Sequence, residues 1–98
     1  MIARHAPRVA TFDRPELIGV PVLLGEACAG MRGLGLEIEA RRVERDPSEA
    51  TIEAVGRVVL AVECAYDVAG VGDWGAAARR IGRLLRGALY RIRARRVA

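Results

Sequence analysis

The residues best suited to chemistry in this sequence are arginines near its C-terminal end. The chain has 98 residues with 16 basic side chains, all of them Arg, and 12 acids. From Trp74 to Ala98 there are eight arginines and no acid, so this segment carries +8 and the rest carries −4 of the formal +4. Guanidinium groups bind carboxylates and phosphates through paired hydrogen bonds. The C-terminal quarter therefore predicts a contact surface for an acidic partner.

One amphipathic helix would position most of these arginines. Apolar residues from Trp74 to Ile92 recur at spacings of three and four, which is the period of a helix with one buried face. Arg95 and Arg96 return to the apolar side, so the packed helix is predicted to end near Ile92 or Arg93, with a basic tip beyond it. The residues that we predict to bind a partner or a polyanion lie opposite the apolar face: Arg79, Arg80, Arg83, Arg86, Tyr90 and Arg93.

This basic helix is compatible with several functions. We predict a non-catalytic protein–protein interaction module, of adaptor or inhibitor type, that acts through the Arg-rich C-terminal helix. The alternative is a nucleic-acid-binding regulator that places the same residues on phosphates and stacks Tyr90 on a base. The chain has no Asn or Gln to recognise base edges, so such binding would have little sequence specificity. An anionic membrane surface and a merely solvated face are the remaining interpretations.

No set of residues in the sequence predicts catalysis, and we expect no enzyme activity, catalytic residue, cofactor or small-molecule substrate. His5 has no candidate partner, and Ser48 is better explained as the start of a helix than as a nucleophile. Glu63 and Asp67 lie one helical turn apart. An acid pair is conceivable there, but salt bridges to Arg57 or to the last helix are the favoured interpretation.

The two cysteines do not predict a metal site. Cys28 and Cys64 are widely separated, no C-x-x-C motif occurs, and one His cannot complete a zinc site with them. We expect both to be small buried side chains, since nothing argues for the oxidising compartment that a disulfide needs. The absence of Lys, Asn and Gln indicates GC-rich, bacterial-like codon usage, so an Arg is not by itself a sign of function.

The elements that must carry these residues form an all-α domain, predicted as a three-helix antiparallel bundle. The helices are expected at 15–32, with a start near Val20 or an extension to 45 as variants, at 47–69 and at 73–93. The second start is marked by Asp46 as the cap and by Pro47. Segment 34–44 also alternates apolar and charged residues as a strand does, although its Glu, Ala, Arg and Leu content favours a helix.

The domain organisation follows from length. We predict a flexible N-terminal arm at 1–12 and one helical domain at 13–98. The longest apolar runs are too short to span a membrane, so we expect a cytoplasmic protein with no membrane span.

The apolar surface exceeds what a monomer of this size can bury, so we predict that the bundle is completed by dimerisation or by a larger protein partner. A second copy could also supply acids to the basic helix, namely Glu37, Glu39, Glu44, Glu49 and Glu53. The predicted dimer interface is a stripe of small residues on the middle helix: Ala54, Val58, Ala61 and Ala65.

Overall fold

The structure, a computed structural model, describes residues 19–97 and contains four helices and no strand within that range. They are α1 (Val20–Gly33), α2 (Glu37–Arg45), α3 (Glu49–Ala69) and α4 (Gly72–Val97). The all-α class is confirmed. The count of three helices is wrong, because the segment after α1 forms a short helix of its own. The predicted arm at 1–12 and its boundary with the domain lie outside the described residues.

A left-handed glycine separates α1 from α2. Gly35 has a φ of 80°, its N–H donates to the Arg32 carbonyl at 3.1 Å, and the Leu36 N–H donates to the Met31 carbonyl at 2.8 Å. This pair of hydrogen bonds is the Schellman closure, which satisfies carbonyls that the end of a helix leaves free. The predicted extension of the first helix to 45 is therefore wrong. The preference for helix in segment 34–44 is confirmed from Glu37 onward, and the strand alternative is wrong.

Gly19 and Pro21 set the beginning of α1. Gly19 is extended, with φ −71° and ψ 157°, so a helix running through this position from 15 is wrong and the alternative start near Val20 is confirmed. Pro21 stands in the first turn, where its missing N–H removes no intrahelical hydrogen bond. The proline therefore helps to begin the helix and does not kink it.

The start of α3 is capped by Ser48, whose Oγ accepts a hydrogen bond from the Thr51 N–H at 3.3 Å. The prediction that Asp46 caps this helix is wrong by two residues. The Asp46 carboxylate instead accepts a hydrogen bond from the Thr51 hydroxyl at 2.8 Å. Hydrogen bonds from Thr51 and Ser48 lower the pKa of Asp46 below its usual value.

The turn between α3 and α4 repeats the closure seen after α1. Gly70 has a φ of 77°, and the Val71 N–H donates to the Tyr66 carbonyl at 3.1 Å. Helix α4 then begins at Gly72, which places Asp73 in the first turn and not at the cap. It continues to Val97, so the predicted end at 93 is wrong and the basic residues beyond it belong to the helix, but Ile92 is the last described residue that packs against the core, as predicted.

Helix α4 is the centre of the packing, with α1 on one side and α3 on the other. Gly30 of α1 lies against Ile81 of α4, whereas Leu23 lies beside Gly87, so α1 runs antiparallel to α4. At the first of these contacts, a Cβ atom on Gly30 would be 2.8 Å from Ile81 Cγ1. Only glycine permits this approach, because real Cβ atoms do not come so close to a neighbour.

The core is aliphatic and lies where α1, α3 and α4 meet, with two residues of α2 closing its end. The largest side chains that are fully buried include Met31, Ile52 and Ile81. No buried polar or charged residue occurs between residues 19 and 96. The apolar stripe of α3 is buried at Ile52, Val55 and Val59, is partly covered at Val62 and Tyr66, and emerges at Ala69. The buried apolar side chains of the core are Val20, Leu24, Ala27, Cys28, Met31, Ala40, Val43, Ile52, Val55, Val59, Ala78, Ile81, Leu85, Ala88 and Leu89.

Candidate interaction surface

The outward side of α4 carries the sequence-predicted contact residues. The helix buries Ile81, Leu85 and Ala88, and this fixes the opposite side toward solvent. Every predicted position is exposed, and Tyr90 is the most open large apolar side chain of the helix at 72%. We call this set the basic face: Arg79, Arg80, Arg83, Arg86, Tyr90 and Arg93.

Two arginines near the beginning of the basic face are held by acids of neighbouring helices. Arg79 Nε donates to Glu63 at 3.1 Å, and its Nη2 lies 3.5 Å from Asp67 Oδ1. Arg80 Nη2 donates to Glu26 of α1 at 3.1 Å. The prediction that Glu63 and Asp67 form salt bridges to the last helix is confirmed.

The end of the basic face is also paired. Arg93 Nε donates to Glu49 at 2.5 Å, its Nη2 donates to Glu53, and Arg96 Nη1 lies 2.9 Å from the second oxygen of Glu49. The hydrogen bond from Arg93 is the main cause that lowers the pKa of Glu49, and the two glutamates raise the pKa of Arg93. The end of α4 is therefore joined to the first turns of α3.

The middle of the basic face has no such pairing. Arg83 and Arg86 are exposed and form no ion pair with any residue from 19 to 96. Tyr90 lies one turn beyond Arg86 on the same side of the helix. The guanidinium groups of Arg83 and Arg86 are thus the part of the basic face that can accept an external anion without losing an internal partner.

Most of the acids that a second copy was expected to supply are already paired with arginines of the same chain. Arg32 binds both oxygens of Glu44, at 2.6 and 2.8 Å, and donates to Glu37 at 2.9 Å. Arg41 donates to the other oxygen of Glu37 at 3.0 Å. The hydrogen bonds from Arg32 lower the pKa of Glu37 and of Glu44. With Glu49 and Glu53 bound to α4, four of the five predicted acids have a partner in the same chain.

The residues of the predicted dimer stripe of α3 differ in their exposure to solvent. Ala54 and Val58 are half-buried, whereas Ala61 and Ala65 are exposed. Cys64 and Val68, the latter 91% exposed, lie beside Ala61 and Ala65, and Leu60 lies exposed one turn before Cys64. These three residues were not predicted from the sequence, although a helical wheel places Cys64 and Val68 beside the alanines.

The two cysteines occupy different environments. Cys28 is buried and its Sγ lies 3.6 Å from the Ala40 carbonyl, which it can donate to. Burial raises the pKa of the Cys28 thiol. Cys64 lies exposed in the apolar patch of α3. The prediction of a buried side chain is thus confirmed for Cys28 and wrong for Cys64.

An apolar groove of about 550 Å³ opens where α1 begins and α4 ends, and it could not be predicted from the sequence because four separate helices build its walls. Of its charged lining residues, Glu44 and Glu49 are bound to arginines, whereas Arg95 forms no ion pair with a described residue. The walls offer mainly apolar contact: Val20, Pro21, Leu24, Gly25, Cys28, Val43, Pro47 and Ile92.

Comparisons with known proteins give no family assignment for this surface. No protein-family model, curated protein or solved structure shows significant similarity to the chain. None of the helices described is long and apolar enough to cross a membrane. Among residues 19–97, no group of three His, Cys, Asp or Glu side chains is placed to hold a metal ion.

Proposed function

We propose that this chain is a non-catalytic interaction module whose basic face binds an acidic surface of a partner protein. The observation that carries the proposal is the pair of exposed guanidinium groups of Arg83 and Arg86, which form no ion pair with residues 19–96 and lie beside the exposed ring of Tyr90. Arginine and tyrosine are enriched among the residues that dominate protein–protein binding energy. Their position on one rigid helix, with a buried opposite side, keeps them preorganised for a contact.

Internal pairing favours a protein partner over nucleic acid. Arg79, Arg80 and Arg93 would each have to leave a carboxylate before binding a phosphate. A polyanion needs many phosphate contacts for tight binding, and each exchange of one anion for another returns little net free energy. A protein surface with a few acids needs only the two free arginines, so the geometry supports this class of partner better.

The test is a titration of labelled acidic peptide, duplex DNA and single-stranded DNA at about 50 and 200 mM salt. We expect the peptide to bind, and the double substitution Arg83→Glu and Arg86→Glu to abolish that binding while the helix content stays unchanged. Arg57→Glu is the matched control, because Arg57 of α3 is also exposed and also forms no ion pair within the described part of the chain. Tight DNA binding that collapses with salt would instead establish the nucleic-acid alternative. If the double variant bound the peptide as well as wild type, the basic face would be only a solvated surface.

We also propose that the exposed apolar patch of α3 joins two copies of the chain into a dimer. The patch contains Ala61, Cys64, Ala65 and Val68. Exposed apolar surface of this kind is stabilised by association, and the alanines let a second helix approach closely. A two-fold axis across α3 would bring the same residues of both copies together.

Sedimentation at micromolar concentration tests the dimer. We expect Ala61→Glu to convert a dimer into a monomer, because it places a carboxylate in the middle of the apolar patch. Ala29→Glu, at an exposed position of α1, should leave the dimer intact. A wild-type protein that sediments as a 10.6 kDa monomer would refute the proposal.

The proposed compartment is the cytoplasm. An exposed free thiol such as that of Cys64 persists in a reducing environment and is at risk in an oxidising one.

A further inference from the structure

The ion pairs between α3 and α4 recur at a regular spacing, and we call this arrangement the ladder. Each arginine of α4 with its two acids of α3 is one rung, and the rung in the middle is missing. Arg79 is held by Glu63 and Asp67, and Arg93 is held by Glu49 and Glu53. The two arginines are two heptads apart on α4, and each acid of one rung is two heptads from its counterpart on α3. The helices therefore keep a constant antiparallel register along this contact.

Arg86 stands at the midpoint of the ladder, seven residues from each paired arginine. The register places it level with positions 56 and 60 of α3, which hold Gly56 and Leu60 where the other rungs hold acids. Its guanidinium group lies back along α4 over Gly82, since a Cβ atom at that glycine would be 3.2 Å from Arg86 Nη1. Arg86 thus lies against its own helix at a place where the facing helix supplies no carboxylate.

We propose that the partner supplies the missing carboxylate, and that Arg86 is the anchor of the basic face. This inference rests on the proposed function and specifies its partner: an acidic peptide segment that carries an apolar residue next to a Glu or Asp. The carboxylate binds Arg86 at the empty rung. The apolar neighbour contacts Leu60, which is 53% exposed at the same level of the ladder. Arg83 and Tyr90 flank this point on α4 and contact the remainder of the segment.

The inference can be tested by placing a carboxylate of the same chain opposite Arg86, at the position of Gly56. No atom lies within 4 Å of a Cβ placed on Gly56, so the first carbon of a longer side chain meets no neighbour there. Position 56 is one heptad from both Glu49 and Glu63, each of which binds an arginine of α4. The change Gly56→Glu should therefore provide Arg86 with an intramolecular carboxylate that competes with the partner.

The experiment measures binding of a fluorescent peptide of glutamate and leucine residues. We expect Gly56→Glu to weaken binding about tenfold or more, as the loss of a dominant contact does. Gly56→Gln, which has the same shape without the charge, should bind as wild type does. Ala76→Glu adds the same charge to an exposed site of α4 away from the rung, and should have a much smaller effect than Gly56→Glu.

The melting temperature provides a second test, because it reports on the ion pair between position 56 and Arg86 directly. Gly56→Glu should melt at a higher temperature than Gly56→Gln, and this difference should vanish when both carry Arg86→Gln. Peptide binding that survives Gly56→Glu, or a melting difference that does not depend on Arg86, would overturn the inference while leaving the proposed function in place. A wild-type protein that does not bind the peptide at all would instead overturn the proposed function, and the inference with it.

Discussion

Replacing Gly30 by Ala measures how closely α1 approaches α4. The new Cβ would lie 2.8 Å from Ile81 Cγ1 and 3.2 Å from its Cδ1, well inside the normal carbon–carbon separation of about 3.5–4.0 Å. Ile81 is itself buried, so the helices must move apart or the side chain must leave its preferred rotamer. Overpacking of this kind costs about 1–3 kcal/mol. A gain of about 1 kcal/mol in helix propensity offsets part of this cost.

Gly25 provides a control in the same helix. No atom lies within 4 Å of a Cβ at Gly25, so Gly25→Ala should bring the gain in propensity without the clash. We therefore expect Gly25→Ala to raise the free energy of unfolding by about 1 kcal/mol, and Gly30→Ala to fall about 1–3 kcal/mol below it.

Thermal unfolding followed by circular dichroism should separate the two variants by at least about 4 °C, because 1 kcal/mol shifts the melting temperature of a domain this small by about 4–8 °C. Urea unfolding should give the same order. Equal melting temperatures for Gly25→Ala and Gly30→Ala would refute the close packing of α1 on α4.

Three further predictions concern local contacts. Ser48→Ala removes the cap of α3 and should lower the free energy of unfolding by about 0.5–2 kcal/mol in chemical denaturation; no change would exclude Ser48 as the cap. Because Arg93 lowers the pKa of Glu49 in the folded state, the pair stabilises the fold above the ordinary glutamate pKa of 4.5, and this contribution is lost as the pH falls through the folded value. Arg93→Gln should therefore weaken the loss of stability seen on acid titration of wild type, and an unchanged acid profile would contradict the pairing. In the Ala61→Glu variant, which should be monomeric, a maleimide reagent should label Cys64 quickly and Cys28 only on unfolding, because Cys28 is 2% exposed and burial raises its pKa; labelling at equal rates would argue against the fold.

Local sequence signals located most helices but not all of their boundaries. The spacing of apolar residues was enough to predict α3 and α4, and both helices are present. The caps were less predictable, because Asp46 and Ser48 are both good N-cap residues, and only the hydrogen bond from the Thr51 backbone N–H to Ser48 Oγ identifies Ser48 as the cap. The break after α1 depends on a left-handed Gly35, and three glycines in that stretch made its position ambiguous.

The position of the candidate site on α4 was predicted from the sequence, but which of its arginines are paired with acids was not. The helical period alone placed Arg79, Arg83 and Arg86 on the outward side of α4. Whether each of them is free depends on which acid of α3 lies opposite, and this depends on the register of two helices. The register of two packed helices cannot be derived from a single sequence, because the sequence does not indicate which residues of the two helices face each other. For the same reason, the exposure of Cys64 follows from how far the other helices extend along α3.

The joining of the α4 terminus to the beginning of α3 has a consequence for how the chain opens. The last turn of a terminal helix usually frays, and its amides exchange with solvent within the shortest times. Here the negative end of the α4 dipole meets the positive end of the α3 dipole, with Arg93 and Arg96 on one side and Glu49 on the other. Amide protons of the final turns should therefore exchange together with those at the beginning of α3, as one cooperative unit. The opposite end of the α3–α4 hairpin, at Gly70, should open first.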